Sequence, residues 1–254
     1  MLRATTVQSS AIKLLVDGLK DVINEVNVRF DETGMRITTM DIKRVALIHV
    51  VLEAAQFDHY ECSEPVTLGV HILNIQKLVK TLTAHDSITF EAEGEKPDSF
   101  YMIFTNEDRH SETKYQIKTL DLPAETITIP DVDVTVSLTM RSTDLQKIFR
   151  DMALLTDEVV IRVEENELSV RCDGDFAKRV TKIRANEHGL VFAKNAEEPI
   201  EGKFSLKYLN TFLKSSNLSN TVDLFLRDSF PIILRFTVVD LGEIRYILAP
   251  INGS

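Results

Sequence analysis

Tryptophan is absent from the chain, and cysteine occurs only twice, as Cys62 and Cys172. Two thiols so far apart in sequence make neither the bridge framework that staples small secreted domains nor a zinc site, and they point to a reducing compartment. None of the nine glycines falls in a G-x-G-x-x-G, G-x-x-x-x-G-K or G-x-S-x-G pattern, which removes the common dinucleotide loop, phosphate loop and nucleophile elbow. No apolar run approaches the roughly 18 residues that cross a bilayer, and no basic, apolar, small-residue leader opens the chain, so neither a membrane span nor a secretory route is expected. Positive charge is also short: 29 Lys and Arg face 39 Asp and Glu, for a net charge of −10. That balance excludes a generally basic nucleic-acid coat while leaving room for a local basic surface.

What is present is alternation. In VDVTVSLTM, Val132, Val134, Val136, Leu138 and Met140 fall on one side and polar groups on the other, the pattern of a half-buried antiparallel strand. The chain opens on a strand, and VALIHVVL, SITFEAE, SFYMIFTNE, KYQIKTL, EVVIRVEE, ELSVRC, KRVTKIRA, TVDLFL, PIILRFTV and EIRYILAP read as further strands, divided by turn signals such as ETG, EENE, CDGD and DLG. The composition, 44% apolar and 27% charged over 254 residues, suits one large or two smaller cores.

Helical periodicity is confined to four segments: SAIKLLVDGLKDV, NIQKLVKTL, RSTDLQKIFRDM and FSLKYLNTFLKSS. Ser9 or Ser10 is placed to cap the first, and Thr143 with Gln146 has the capping-box spacing for the third. Apolar stripes run through Ile12, Leu15, Leu19 and Ile23, then Ile75, Leu78, Val79 and Leu82, then Leu145, Ile148, Phe149 and Met152, then Leu206, Leu209 and Leu213. Off those stripes stand Lys13, Lys20, Lys77, Lys80, Lys147, Arg150, Lys207 and Lys214. The four windows together carry +5 and the rest of the chain −15. Lysines on one helix are ordinarily a solvated face, but four helices, none of them net negative in an acidic chain, mark a segregated surface.

The basic positions recur: Lys13 to Lys147 and Lys80 to Lys214 are each 134 residues, and Lys77 to Lys207 is 130. The chain reads as two copies of one unit, joined by the proline-bearing KTLDLPAETITIPD stretch. The expected division is an N-terminal domain 1–117, a connecting loop 118–133 and a C-terminal domain 134–254. Catalytic constellations are weak. His59 with Cys62 is an isolated pair, and Asp131 with Asp133 and Asp173 with Asp175 flank turns, where Asp commonly bonds local backbone. No enzyme, no cofactor and no metal site is expected.

The stretches LKDVINEVN, TTMDIKRVALIHVVLEAAQFDHYEC, LGVHILNIQKLVK, IPDVDVTVSLTMRSTDLQKIFRDM, FSLKYLNTFLK and PIILRFTVVDLGEIRYILAP, in this order and spacing, resemble the proliferating cell nuclear antigen family of eukaryotic-type sliding clamps over essentially the whole chain. The resemblance implies an α+β DNA clamp fold: two tandem similar domains of antiparallel sheet with two helices each, in a ring-forming homotrimer. It implies a polymerase processivity factor whose helices line a hole around double-stranded DNA without reading sequence, with Lys13, Lys20, Lys77, Lys80, Lys147, Arg150, Lys207 and Lys214 facing the duplex. Clamp loader, DNA polymerase, flap endonuclease and DNA ligase would be its partners, the tethered ones docking by short motifs with a glutamine and aromatic plugs. The implied docking pocket comprises Met40, Arg44, Val45, Leu47, Ile127, Ile129, Pro130, Pro231, Ile247, Ala249 and Pro250. Subunit joints would pair residues 111–118, with Tyr115 and Ile117, against 175–184, with Ala177, Val180 and Ile183. The implied location is the nucleus, or a viral replication compartment. A subunit of a heteromeric clamp, acting as an interaction scaffold, is the alternative.

Several positions depart from the family pattern. Leu14 stands where a second lysine is common, Ile247 where a tyrosine walls the pocket, Arg44 where a histidine is usual, and Glu165 where the ubiquitin-accepting lysine aligns. The sequence ends INGS, short of the acidic tail often seen.

Overall fold

The computed structural model describes residues 1–124, 127, 134–186, 189–195 and 197–251. Its first half runs β1 (Leu2–Thr6), α1 (Ser9–Leu19), β2 (Glu25–Asp31), β3 (Gly34–Met40), β4 (Ala46–Glu53), β5 (His59–Cys62), β6 (Val66–His71), α2 (Ile72–Val79), β7 (Asp86–Ala92), β8 (Ser99–Asn106) and β9 (Ser111–Lys118). The second half repeats it: β10 (Val136–Arg141), α3 (Ser142–Met152), β11 (Glu158–Glu164), β12 (Glu167–Asp173), β13 (Lys178–Arg184), β14 (Val191–Lys194), β15 (Ile200–Ser205), α4 (Leu206–Phe212), β16 (Thr221–Leu226), β17 (Ile232–Val238) and β18 (Gly242–Leu248). Short 3-10 turns at Ala54–Gln56 and Leu213–Asn217 stand outside the repeat.

Matching elements begin 131 to 135 positions apart; Ser9 and Ser142, or Ser99 and Ile232, differ by 133. Strand order repeats as well. The run β5-β1-β7-β8-β9 has its counterpart in β14-β10-β16-β17-β18, and β4-β3-β2-β6 in β13-β12-β11-β15. The duplication inferred from three pairs of lysines therefore extends to the order and pairing of the elements.

The chain forms two compact units. One comprises Met1–Thr39, Ile48–Ile127 and Thr237–Ile244, the other Met40–Leu47, Thr128–Phe236 and Arg245–Ser254. In the first, α1 packs on α2 and buries Ile12, Leu15 and Leu19 with Ile75 and Val79. In the second, α3 packs on α4, burying Leu145, Phe149 and Met152 with Leu206, Leu209 and Phe212. The Phe212 ring stacks on Tyr246 at 4.6 Å, and the Tyr246 hydroxyl meets Ser215 Oγ at 2.6 Å. In β10 the alternation holds where it is described, with Val136, Leu138 and Met140 buried; Val132 lies outside the described residues. No helix among the described residues is long and apolar enough to cross a membrane.

The expected helix caps do not form. Position Gln8 precedes α1 and Arg141 precedes α3, neither with a side-chain cap. Ser9 is instead buried, its hydroxyl donating to the Thr83 carbonyl at 3.3 Å, and Gln146 Nε2 donates across to the Leu213 carbonyl at 2.8 Å. Both side chains tie a helix to its neighbour rather than to its own first turn. Six strands carry no clear advance signal. Of these, β6 and β15 run directly into α2 and α4 with no turn residue between them.

The β2–β3 hairpin turns on Gly34, at φ 138°, where an added Cβ would lie 2.0 Å from the Leu52 carbonyl oxygen. Asp31 closes that hairpin, accepting from the Thr33 N–H at 2.9 Å and from Arg36 at 2.8 Å. Burial pushes the Asp31 carboxyl up, but bonds from Thr33 and Arg36 outweigh it and hold the carboxyl below its usual range. A depressed folded-state value means stability that is complete above the unfolded-chain value, about 3.9, and lost as pH falls through the folded one. Asp31→Asn is accordingly expected to lower the thermal midpoint at pH 7 by about 2–4 °C and to flatten its decline towards pH 3, measured by calorimetry.

Candidate nucleic-acid and partner interfaces

The eight expected DNA-facing cations fall on the two helix pairs, but in different states. In the first unit Lys77 and Lys80 are exposed at the end of α2. Lys13 is half-buried, its Nζ donating to the carbonyls of Lys80 and Leu82, each at 3.3 Å, where it closes off the C-terminal end of α2. Lys20 pairs with Asp17 at 2.9 Å, and Gln76 Nε2 reaches the same carboxylate at 2.7 Å. Burial raises the Asp17 carboxyl, yet bonds from Gln76 and Lys20 outweigh it and hold the group low. In the second unit Lys147, Arg150 and Lys207 are exposed, as is Lys214 on the Leu213–Asn217 turn. The exposed set is therefore Lys77, Lys80, Lys147, Arg150, Lys207 and Lys214, while Lys13 and Lys20 are engaged in holding their own helix pair together.

The expected docking residues gather largely in the second unit. Between β3 and β4 the chain turns tightly: the Asp41 N–H donates to the Ala46 carbonyl at 2.8 Å, Arg44 N–H to the Asp41 carbonyl at 2.9 Å, and Arg44 adopts φ 57°. The Asp41 carboxylate fills this turn, with Oδ1 accepting from the Val45 and Ala46 N–H groups at 2.8 Å each and Oδ2 from the Lys43 N–H at 3.1 Å. Ile42 stands 95% exposed and Val45 is at the margin of exposure. The Ala249 N–H donates to the Val45 carbonyl at 2.9 Å, bringing the strand end that carries Ile247, Ala249 and Pro250 beside the turn. Met40, Ile247, Ala249, Pro250 and Pro231 are half-buried and Leu47 is buried. Ile129 and Pro130 lie outside the described residues. Ile127 belongs to the first unit, where it lines a cleft of about 710 Å³ with Asn27, Arg29, Arg36 and Thr38. Nothing in the sequence had singled out that cleft.

The two expected joint segments are terminal strands of their sheets: among the described residues β9 pairs with β8 alone, and β13 with β12 alone. Tyr115 packs edge-on against Phe104 at 5.2 Å, Ile117 and Ile183 are half-buried, and Val180 is 57% exposed. Ala177 precedes the strand, in a turn where its carbonyl accepts from the Gly174 N–H at 3.0 Å, so β13 starts at Lys178 rather than at 175. Its cations are tied sideways: Lys178 to Asp173 at 2.6 Å, Arg179 to Asp151 at 3.2 Å, Lys182 and Arg184 to Glu167 at 2.9 and 3.3 Å.

The weak catalytic candidates stay dispersed. Cys62 Sγ donates to the Glu64 carbonyl at 3.1 Å, Asp173 is engaged with Lys178, and Asp131 and Asp133 lie outside the described residues. What these residues define is a duplicated sheet-and-helix protein with basic helix faces, open strand edges and an apolar turn region.

Residues 1–126 match the family described as proliferating cell nuclear antigen, N-terminal domain, and residues 128–251 the corresponding C-terminal domain. The chain belongs to the proliferating cell nuclear antigen family. A protein of Paramecium bursaria Chlorella virus 1 named probable DNA polymerase sliding clamp 1 is 34% identical over 250 residues, covering 97% of this chain and 95% of that relative. The proliferating cell nuclear antigen of Chaetomium thermophilum is 29% identical over 260 residues, covering 100% and 99% of the two chains.

Proposed function

We propose that this protein is a DNA polymerase sliding clamp: a homotrimeric ring that encircles duplex DNA and tethers replication proteins, acting by binding and not by catalysis. The observation that supports the reading best is that the helix segments, with six exposed cations on or beside two equivalent helix pairs, sum to +5 while the rest of the chain sums to −15. Phosphate contacts hold a protein on DNA without reading bases, and each adds a salt-sensitive term. A ring that slides gains nothing from tight grip. Closure retains it, so a few long cations suffice while the acidic remainder repels DNA from other faces. The site of action is the nucleus, or the replication compartment of a virus.

The repeat supports closure by like copies. β18 is the counterpart of β9, and β4 of β13. The stretches around β4 and β18 are hydrogen-bonded, Glu53 N–H to the Leu241 carbonyl and Ala249 N–H to the Val45 carbonyl, each at 2.9 Å. The same complementarity is open to β9 of one copy and β13 of the next, an arrangement that would cover both exposed edges.

Docking of tethered proteins takes place at the 40–47 turn, Pro231 and the 247–250 segment. A short peptide with a glutamine and aromatic plugs fills the pocket as a helical turn. Val45→Glu, which sets a charge at the mouth of an apolar site, is expected to weaken such a synthetic peptide by about a hundredfold in calorimetric titration. Unchanged affinity would remove this site from the reading. The decisive experiment for the whole function is loading by a clamp loader onto circular and linear DNA. The clamp stays on circles and is lost from free ends, and light scattering gives the mass of three chains. Equal loss from both topologies would overturn the reading, and a persistent monomer would favour a heteromeric clamp subunit.

A further inference from the structure

The Asp41 carboxylate has a fourth partner, far away in sequence: the hydroxyl of Tyr208, on α4, donates to Oδ2. Three backbone N–H groups and one phenol thus converge on a single carboxylate inside a five-residue turn. The turn is not self-sufficient. Arg44 sits at φ 57°, a left-handed conformation that costs a non-glycine residue about 1 kcal/mol or more. It persists where its surroundings over-determine it. Burial raises the Asp41 carboxyl, but the Tyr208 hydroxyl and the N–H groups of Ala46, Val45 and Lys43 outweigh that and hold it ionised. Tyr208 is correspondingly pushed up to about 12, by burial and by the Asp41 charge.

The same helix supports the opposite wall of the pocket. Tyr208 lies 6.1 Å from Phe212, whose ring stacks on Tyr246, the residue before Ile247. One short helix, which also carries the exposed Lys207, therefore backs both the turn and the strand end between which a partner peptide would seat.

We infer that the Tyr208 hydroxyl is a positioning group for partner docking, holding the 41–46 turn through Asp41 in the shape that receives the peptide. This rests on the docking site proposed above. It identifies a residue outside the pocket on which peptide affinity depends, and it places that residue on the helix next to a cation assigned to DNA.

Tyr208→Phe removes one oxygen and keeps the half-buried ring, so the fold and the assembled mass are retained. Two readouts test the role. Hydrogen exchange should speed by about tenfold at the Lys43, Val45 and Ala46 amides and stay unchanged at the core amides of β16 and β17, a local loosening that a general loss of stability would not give. The affinity of the glutamine-aromatic peptide should fall by about tenfold, chiefly through faster dissociation. Asp41→Asn is expected to do the same, and the double variant to be little worse than either alone, because both break one interaction. Normal exchange at the three amides of Tyr208→Phe would overturn the positioning role whatever the peptide does. If exchange rises but affinity is unchanged, while Val45→Glu still weakens binding, the docking site stands and the inference falls.

Discussion

Lys77→Glu combined with Lys80→Glu is expected to cut retention on circular DNA at physiological salt by about tenfold or more, and to lower the slope of log retention against log salt by roughly one for each phosphate contact removed. The assembled mass should not change. These two are chosen because both are exposed at the C-terminal end of α2. Lys13 and Lys20 supply the contrast: one closes the carbonyl end of α2 and the other pairs with Asp17. Lys13→Ala should therefore lower the thermal midpoint and leave retention nearly intact. Retention equal to wild type in the Lys77/Lys80 variant, across a salt titration, would contradict a DNA-facing role for α2.

Ile117→Asp is expected to convert the assembly to single chains and to abolish retention on circular DNA. Ile117 is half-buried on β9, which among the described residues is the terminal strand of its sheet, so the isolated chain tolerates the change. At a joint with β13 of another copy the carboxylate would be buried without a partner, a cost of about 3–5 kcal/mol, or roughly two to four orders of magnitude in each joint's dissociation constant. Light scattering reads the outcome directly. Circular dichroism confirms that the chain remains folded, and a variant with unchanged mass would show that β9 does not form the joint. Lys178→Ala, which removes only a surface pair with Asp173, is the matched control and should assemble normally.

The strands that the sequence announced are those whose alternation is clean, as in β10, or whose ends carry turn residues, as between β11 and β12. β6 and β15 escaped because they pass into helices through His71 and Ser205, with no glycine or proline to mark the change of period. The apolar helix stripes were readable because burial imposes them; Ile12, Leu15, Leu145 and Leu209 are all in the core. The caps were misassigned for a tertiary reason: Ser9 and Gln146 are drawn to carbonyls 74 and 67 positions away. In the same way the charge of Lys13 was legible but its engagement with α2 was not. The least legible feature is the Asp41–Tyr208 bond, since 167 residues separate two side chains that in sequence look like an ordinary turn aspartate and a helix-surface tyrosine.

The open edges of β9 and β13 also decide where a ring of such chains would part. A joint of the β18–β4 kind lies within one polypeptide, whereas a β9–β13 joint between copies would have no covalent bridge and would be held by strand pairing and side-chain contact alone. A motor that prises the ring apart to admit DNA would act at these non-covalent seams. The stiffness of the seam would then set both the work of opening and the lifetime of the closed ring on its template.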